Sequence, residues 1–334
     1  MKFLFILVMA LVVSTAQAAP EKAKVSIAVG GKAALFYLPL TIAERNGYFK
    51  QEGLEVQISD FPGGAKALQA MVGGSVDVVS GGFDHVLHMN AKGLNLQAFV
   101  AQLATPALAL GVAKRHAGRY KSPKDLKGMR IGVTAPGSST HLFLSYLLAS
   151  AGLSDRDVSV IGVGTGATAV AGVRGGELDA ILNVEPAMTA LERGGQIVIV
   201  NETLSVKGSN AVFGATLPSG CLYTQRDFIR KHPKTVQALT NAMVKALVWI
   251  NQASVAQILA VIPPEYTLGD KALYTAALER SRQTYSLDGL FSAKGAEALY
   301  QMLRKFDDNV RRATAVQIAS TFDNSFVLRA GANR

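Results

Sequence analysis

Cysteine is nearly absent from this chain, and no long apolar run follows its first 18 residues. Cys221 is the only cysteine, so an intrachain disulfide is excluded. A transmembrane helix needs about 20 consecutive apolar residues, and the rest of the sequence offers no such stretch. Lysines and arginines are scattered despite a formal net charge of +10. Without a basic run and interleaved aromatics, the sequence predicts no nucleic-acid partner and at most weak steering of anions.

Motifs of common enzyme classes are absent as well. The chain has neither a G-x-S-x-G nucleophile elbow nor a G-x-x-x-x-G-K-[ST] phosphate loop. Cys221 has no obvious histidine partner in the sequence, which favours a small buried residue over a nucleophile. We therefore expect a binding protein without a cofactor rather than an enzyme, and an exported enzyme of unknown type is the alternative from another class.

The first residues have the layout of a secretory signal peptide. Lys2 precedes the apolar run Phe3–Val13, and Ala16-Gln17-Ala18 is a small-x-small cleavage signal. The sequence thus predicts a signal peptide over residues 1–18, cleavage after Ala18 and a periplasmic location. Its removal leaves 316 of the 334 residues, enough for two lobes.

Short apolar runs alternate with amphipathic stretches in two successive sets. This pattern predicts an α/β fold with two βαβ lobes, a ligand cleft between them and a helical C-terminal tail. We expect lobe I over 19–107 and lobe II over 108–214, joined through Pro106–Lys114, with 215–334 returning to lobe I. In that tail, apolar residues at helical spacing predict one buried face over Val236–Ile250, and another helix is expected over Ala313–Phe322.

Five predicted strand-to-helix turns converge on this cleft. Free N–H groups at helix N-termini and several hydroxyls suit an oxyanion such as a sulfonate, nitrate or carboxylate. Each turn alone could be ordinary N-capping, and Lys32 is the only cation among the turns. The candidate ligand-binding residues are Lys32, Ala33, Tyr37, Gly63, Gly82, Phe83, Ser138, Ser139, Thr140, Thr165, Gly166, Asn183, Glu185 and Phe213.

Two other patterns lie at or beside these turns. Gly162-x-Gly164-x-x-Ala167 follows a strand as a dinucleotide fingerprint would, but it is short and degenerate, and a glycine-rich turn is favoured. His85 and His88 are spaced to share a helix face, yet without a second ligand cluster a packed or surface pair is favoured over a metal site. We therefore predict no metal.

Glu185 and the aromatic candidates favour a second type of ligand. A carboxylate would repel an anion beside it and would suit an amine or a protonated ring nitrogen. None of the five turns contains arginine, the usual bidentate partner of a carboxylate. A neutral or cationic aromatic heterocycle, such as a thiamine pyrimidine precursor, is thus the alternative to a small organic anion.

Several stretches resemble the nitrate/sulfonate/taurine-type substrate-binding proteins of ABC transporters, a family with thiamine-pyrimidine-binding relatives. They are Phe36–Leu40, Glu44–Leu54, Asp125–Val133, Pro136–Ser139, Gly175–Ala180 and Glu185-Pro186. The resemblance covers nearly all of the chain after residue 18. It implies a type II periplasmic-binding-protein fold that captures a small molecule and docks on an inner-membrane ABC permease, and we expect a monomer. Fungal relatives make the pyrimidine with a cysteine-rich motif, which a chain with one cysteine lacks.

Overall fold

The computed structural model describes residues 19–313 and 316–332, so the predicted signal peptide lies outside the described residues. Within these ranges the chain forms two five-stranded sheets. Most buried apolar side chains join one large core, and a smaller core lies under the second sheet. No helix of the described chain is long and apolar enough to cross a membrane.

The strands are short and mostly buried. In chain order they are β1 (Lys24–Val29), β2 (Glu55–Asp60), β3 (Val78–Gly82), β4 (Leu96–Ala101), β5 (Ala109–Ala113), β6 (Arg130–Val133), β7 (Ser159–Gly162), β8 (Ala180–Asn183), β9 (Ile197–Glu202) and β10 (Gly220–Gln225). The first sheet has the order β2-β1-β3-β10-β4 and the second β7-β6-β8-β5-β9. Each sheet with the helices packed on it is called a lobe below.

The two sheets follow one scheme. Three strands of each are parallel, with β1 between β2 and β3, and β6 between β7 and β8. One antiparallel strand is then inserted beside them, β10 between β3 and β4, and β5 between β8 and β9. The parallel strands bring their carboxyl ends to one edge of each sheet, where ligands bind in open α/β sheets.

Helices cover both sheets. The α-helices are α1 (Leu38–Arg45), α2 (Tyr48–Gln51), α3 (Gly64–Val72), α4 (Phe83–Ala91), α5 (Lys114–Ala117), α6 (Ser139–Ser150), α7 (Ala167–Arg174), α8 (Ala187–Arg193), α9 (Val206–Phe213), α10 (Arg226–Lys231), α11 (Pro233–Gln252), α12 (Val255–Val261), α13 (Lys271–Ser281), α14 (Ala293–Arg304), α15 (Asp308–Arg312) and α16 (Ser325–Ala332). Short 3-10 helices lie at Leu35–Tyr37, Pro123–Leu126, Asp155–Asp157, Pro264–Thr267, Arg282–Thr284 and Ile318–Ser320.

The predicted α/β class with two lobes is confirmed, and so is the buried face of the long helix α11. Its apolar stripe from Val236 to Ile250 is at most 1% exposed, because it packs against α1, α2 and α16. Gly47, whose φ of 70° lies in the left-handed region, ends α1 and separates it from α2.

Two strands were not predicted, and one predicted helix was wrong. β5 lies within the expected linker Pro106–Lys114, and β10 lies within the expected, mostly helical tail. Both are antiparallel strands whose partners are distant in the chain, so no local βαβ pattern marks them. The described part of Ala313–Phe322 is not a helix but contains one 3-10 turn at Ile318–Ser320.

Candidate functional site

A cavity lies between the two lobes, at the carboxyl ends of β1, β3, β6 and β8. It contains about 360 Å³ of unoccupied space, including its opening to solvent. Its lining is Gly30, Phe36, Tyr37, Gly64, Gly82, His85, Leu108, Thr134, Ser138, Ser139, Thr140, Thr165 and Val184. This set combines hydroxyls and glycine backbone with a few apolar side chains, and it contains neither lysine nor arginine. We call it the head cavity.

The structure divides the sequence-predicted site residues into two groups. Those that line the head cavity are Tyr37, Gly82, Ser138, Ser139, Thr140 and Thr165. Those that lie beside or away from it are Lys32, Ala33, Gly63, Phe83, Gly166, Asn183, Glu185 and Phe213. Gly63 and Gly166 precede the first helical residues of α3 and α7 at the two sides of the cleft.

Direct hydrogen bonds join the lobes around the head cavity. Ser138 Oγ accepts from the backbone N–H of Ala65 at 2.9 Å, and Ser139 Oγ donates to Asp84 Oδ1 at 2.9 Å. Further along the cleft, the N–H of Leu35 donates to the carbonyl of Glu185 at 2.9 Å. The lobes are thus in a closed arrangement, with side chains of one lobe completing hydrogen bonds of the other.

Glycine permits this close approach at two positions. A Cβ on Gly31, whose φ is 110°, would lie 2.1 Å from Thr165 Oγ1 of the opposite lobe. A Cβ on Gly63, whose φ is 100°, would lie 2.7 Å from the Cβ of Ala135. Both values of φ are unfavourable for residues with a side chain, so glycine is needed here for conformation and for space.

The turn after β1, the first of the five predicted turns, uses its backbone amides within the first lobe. Gly31 and Lys32 donate their N–H groups to Asp60 Oδ1, each at 2.8 Å, and Gly30 donates to the Tyr37 hydroxyl at 3.1 Å. The amides of residues 30–32 are therefore engaged within the first lobe. Burial raises the pKa of Tyr37 far above that of free tyrosine, so its hydroxyl stays protonated.

Lys32 and Asn183 have structural partners outside the head cavity. Lys32 Nζ pairs with Glu44 at 3.1 Å. Asn183 donates from Nδ2 to the carbonyl of Gly164 at 2.9 Å and accepts from the N–H of Val184 at 2.8 Å. These contacts leave Lys32 neutralised by a neighbour, and they place Asn183 as a support of the turn that carries Thr165.

The two predicted phenylalanines pack among aromatic rings. Phe83 is fully buried, and its ring centroid lies 4.9 Å from that of Phe291. Phe213 lies 4.5 Å from Phe143 in an edge-to-face contact and 5.1 Å from Tyr146. Sequence alone does not distinguish such core contacts from a ligand platform.

The carboxylate of Glu185 points away from the head cavity. Its Oε2 accepts from the N–H of Thr189 at 2.8 Å, and its Oε1 lies 3.6 Å from Arg280 Nη1 on α13. The side chain is 2% exposed, and this burial raises the pKa of Glu185 above the ordinary value despite the nearby guanidinium. Of these two neighbouring residues, Val184 lines the head cavity and the Glu185 carboxylate does not.

Sequence reasoning missed His85 and Asp84 as site residues. His85 is 1% exposed, and its Nδ1 lies 3.2 Å from the Tyr223 hydroxyl, while its Nε2 has no hydrogen-bond partner among the described residues. Burial lowers the pKa of His85, so the ring is neutral near pH 7. Asp84 Oδ2 lies 3.9 Å from His85 Nε2, and it is also buried without a hydrogen-bond partner within the described chain. Their position directly after the Gly81-Gly82 turn was the available signal.

The two histidines considered for a metal site have separate surroundings. His88 Nδ1 pairs with Asp307 at 2.5 Å on the side of α15, whereas His85 lines the head cavity. The described ranges contain no group of three or more histidine, cysteine, aspartate or glutamate residues placed to hold a metal ion.

Comparison with known proteins identifies the family. Residues 18–262 match the NMT1-like family. The chain belongs to the NMT1-like family. A solved structure from Bordetella bronchiseptica RB50 is 47% identical, covers 94% of this chain and 98% of its own, and superposes with a TM-score of 0.90. The fold of this NMT1-like protein is the periplasmic-binding-protein fold, as the resemblance implied.

Two curated relatives of this NMT1-like chain have different activities in their names. The taurine-binding periplasmic protein of Escherichia coli K12 is 26% identical over 210 residues, which are 62% of each chain. The 4-amino-5-hydroxymethyl-2-methylpyrimidine phosphate synthase of Schizosaccharomyces pombe is 29% identical over 230 residues, which are 67% of this chain and 64% of the synthase. The chain thus spans less than two thirds of the length of each. The predicted relationship to sulfonate- and taurine-binding proteins and their pyrimidine relatives is confirmed.

Proposed function

We propose that this protein is the periplasmic solute-binding component of an ABC importer, that it captures a small organic anion such as a sulfonate between its lobes, and that it delivers the anion to an inner-membrane permease. The observation that carries the proposal is the head cavity itself, a space between the lobes at the strand ends of both, lined by hydroxyls and glycine backbone. The taurine-binding relative supports a sulfonate. In this proposal the signal peptide over residues 1–18 directs export, and the mature protein acts as a monomer.

Neutral hydrogen-bond donors would hold the anion, since the cavity lining contains no cation. Thr165 and Tyr37 offer hydroxyls, and Ser138 joins the lobes at the wall of the cavity. Micromolar affinity requires about 8 kcal/mol, and a neutral hydrogen bond contributes about 0.5–1.5 kcal/mol. Several such bonds and apolar contacts must therefore act together, which favours an organic anion over a bare inorganic one.

Isothermal titration of the mature protein with taurine, alkanesulfonates, nitrate and acetate tests the proposal. Ser138→Ala removes one interlobe hydrogen bond and is expected to weaken binding about 2- to 13-fold, the equivalent of one neutral hydrogen bond. Ser150→Ala is the matched control, because Ser138 directly precedes α6 whereas Ser150 is its last residue and donates to the carbonyl of Tyr146 within the helix. Absence of binding by every member of the panel refutes an anion ligand.

A second candidate ligand is an aromatic heterocycle that both donates and accepts hydrogen bonds. Asp84 Oδ2 and His85 Nε2 favour it, since they lie 3.9 Å apart and neither has a hydrogen-bond partner in the described chain. A buried acceptor without a hydrogen bond costs free energy that a ligand donor would recover. The synthase relative supports a pyrimidine. We propose binding without turnover in this case too.

Thermal-shift measurements with 4-amino-5-hydroxymethyl-2-methylpyrimidine distinguish this candidate from an anion. Asp84→Asn should reduce the shift, since the amide nitrogen cannot accept a hydrogen bond from the ligand. Mass spectrometry of the ligand after incubation tests turnover. A chemically changed ligand would indicate an enzyme instead of a binding protein.

A further inference from the structure

A basic surface lies on the second lobe, away from the head cavity. Residues 114–130 contain seven lysines and arginines and a single acidic residue. Other residues separate these cations along the chain, so no basic run marks the surface in the sequence. We call them the basic patch, and all of them are exposed: Lys114, Arg115, Arg119, Lys121, Lys124, Lys127 and Arg130.

The fold brings this patch to one edge of the second sheet. β5 ends at Ala113 beside the start of β8, and Arg130 begins β6, so the segment starts and finishes at the amino ends of the parallel strands. Residues from 116–120 and from 125–129 line one surface depression, which contains about 770 Å³ of space open to solvent. The cations of both stretches therefore share one surface.

Acidic side chains pair with only part of the patch. Arg115 Nη2 and Arg130 Nε lie 2.7 Å and 3.0 Å from Asp179, and Lys127 Nζ lies 3.7 Å from Asp157. The other four cations have no ion pair among the described residues, namely Lys114, Arg119, Lys121 and Lys124.

Two more carboxylates lie close to the patch. Asp125 Oδ2 accepts from two backbone N–H groups, each at 2.8 Å, and Glu177 lies near Arg130. With Asp157 and Asp179, four carboxylates thus face seven cations, and the patch keeps an excess of three positive charges.

The position of the patch separates it from ligand capture. Arg130 begins β6 and Thr134 follows its last residue, so the two lie about 13 Å apart along the strand. Thr134 lines the head cavity. At physiological ionic strength the Debye length is about 8 Å, and the patch therefore adds little to the attraction of an anion into the cleft. Its excess charge is available to another partner.

The composition of the patch favours a partner with diffuse negative charge. Protein interfaces have an apolar core and are poor in lysine. The large apolar side chains that the described chain exposes lie elsewhere, at Val72, Val198, Val206, Leu287 and Leu328, while Tyr120 and Met129 of the depression pack against the core. Exposed, unpaired cations without an apolar centre match an anionic phospholipid bilayer, which attracts each lysine or arginine near its surface.

We propose that the basic patch docks this protein on an anionic phospholipid surface by electrostatic attraction alone. No apolar side chain is inserted, so the contact is reversible and weakens as salt is added. The head cavity opens at the opposite edge of the second sheet and stays free. This inference goes beyond the proposed function and is independent of the ligand that the cleft binds.

Vesicle sedimentation of the mature protein tests the docking. The protein should sediment with vesicles of phosphatidylcholine and phosphatidylglycerol in equal amounts, and it should remain in solution with vesicles of phosphatidylcholine alone. Added sodium chloride should release it, because salt screens exposed charges.

A combined variant locates the contact on the patch. Lys114→Gln, Arg119→Gln, Lys121→Gln and Lys124→Gln together remove the four unpaired cations. Each cation near an anionic surface contributes about fivefold to binding, so the partition coefficient should fall at least tenfold. Circular dichroism checks folding, which these exposed and unpaired side chains should not affect.

The matched control removes the same charge from the rest of the protein. It combines Lys50→Gln, Lys92→Gln, Lys231→Gln and Lys294→Gln, four exposed cations outside the second lobe. This variant has the same net charge as the patch variant, and it should sediment with anionic vesicles nearly as the wild type does.

The outcomes separate docking from ligand binding. No sedimentation with anionic vesicles, or an equal loss in both combined variants, overturns the proposal. Binding of poly-L-glutamate without binding of vesicles also overturns it and assigns the patch to an acidic protein. Ligand titration of the same two variants should match the wild type and tests the proposed function separately.

Discussion

Arg280 on α13 lies among three carboxylates of the second lobe. Its guanidinium nitrogens are 2.6 Å from Glu192, 2.7 Å from Glu202 and 3.6 Å from the buried Glu185. Replacement of Arg280 by alanine would leave three acidic groups facing each other, one of them 2% exposed. We expect this single change to destabilise the folded chain more than the loss of any surface ion pair.

The magnitude follows from the distances and the exposure. At 3.6 Å and an effective dielectric constant of about 20, the Arg280–Glu185 attraction is about 4–5 kcal/mol. The Arg280 side chain is 28% exposed, so water screens part of this attraction, and we expect Arg280→Ala to lower the free energy of unfolding by about 2–4 kcal/mol at pH 7.5. Glu192→Gln removes a pair with a 42% exposed carboxylate and should cost only about 0–1 kcal/mol.

The pH dependence provides a sharper signature. Burial raises the pKa of Glu185, so ionised Glu185 destabilises the folded chain. This cost is absent below the pKa in the unfolded chain, about 4.3, and is fully present above the pKa in the folded chain. Without Arg280 the folded-state pKa rises further. The destabilisation by Arg280→Ala should therefore be largest above pH 7 and shrink as the pH falls toward 4.

Urea denaturation followed by circular dichroism at pH 4.5, 6 and 7.5 measures these free energies. Glu185→Gln in the Arg280→Ala background is the decisive control, since it removes the buried charge and should restore most of the stability. A loss that is equal at all three pH values, or one that Glu185→Gln does not relieve, would refute the reasoning.

Three further predictions concern buried groups, and denaturation or mass spectrometry checks each. Tyr223→Phe removes the hydroxyl 3.2 Å from His85 Nδ1 and should cost about 1–2 kcal/mol of unfolding free energy. Burial opposes ionisation of Asp307, but the His88 ring and backbone amides outweigh it and lower its pKa. Ionised Asp307 therefore stabilises the folded chain above the pKa of the carboxyl in the unfolded chain, and this stabilisation is lost as the pH falls through its pKa in the folded chain. Asp307→Asn should consequently make the free energy of unfolding depend less steeply on pH below about pH 4. Burial raises the pKa of the Cys221 thiol, and iodoacetamide should label it only after unfolding.

Each of these has a contradicting result. Unchanged stability of Tyr223→Phe would show that its hydroxyl is dispensable to His85. An acid transition in Asp307→Asn as steep as that of the wild type would exclude this carboxylate as a source of the pH dependence. Rapid labelling of native Cys221 would mean that the first sheet opens readily around β10.

The sequence predicted the turns of the site better than the directions of its side chains. Ser138, Thr140 and Thr165 follow strands in a regular βαβ pattern, and topology alone brings the carboxyl ends of such strands to one edge. Glu185 also follows a strand, but the position of its carboxylate depends on Arg280, which is 95 residues away in the chain. A contact of this kind leaves no periodic trace in the sequence.

His85 is the converse case, a residue that lines the head cavity but was not predicted as a site residue. Sequence spacing related it to His88, three positions along one helix, and favoured a packed or surface pair. The structure separates them, because His88 turns to Asp307 and His85 is buried beneath the cleft against Tyr223 of β10. The strand that fixes the role of His85 was itself not predicted, so the histidine could not be assigned to the site.

β10 belongs to the first sheet but is synthesised after every strand of the second sheet, so the first sheet is completed last. β10 lies between β3 and β4, yet it begins at Gly220, after the whole second sheet. During synthesis, at about 5–20 residues per second, the edges of β3 and β4 that pair with β10 remain unpaired for many seconds, until β10 has been synthesised. A fragment that ends before Gly220 should consequently expose two strand edges and associate with other chains, whereas the second sheet is already complete at Glu202.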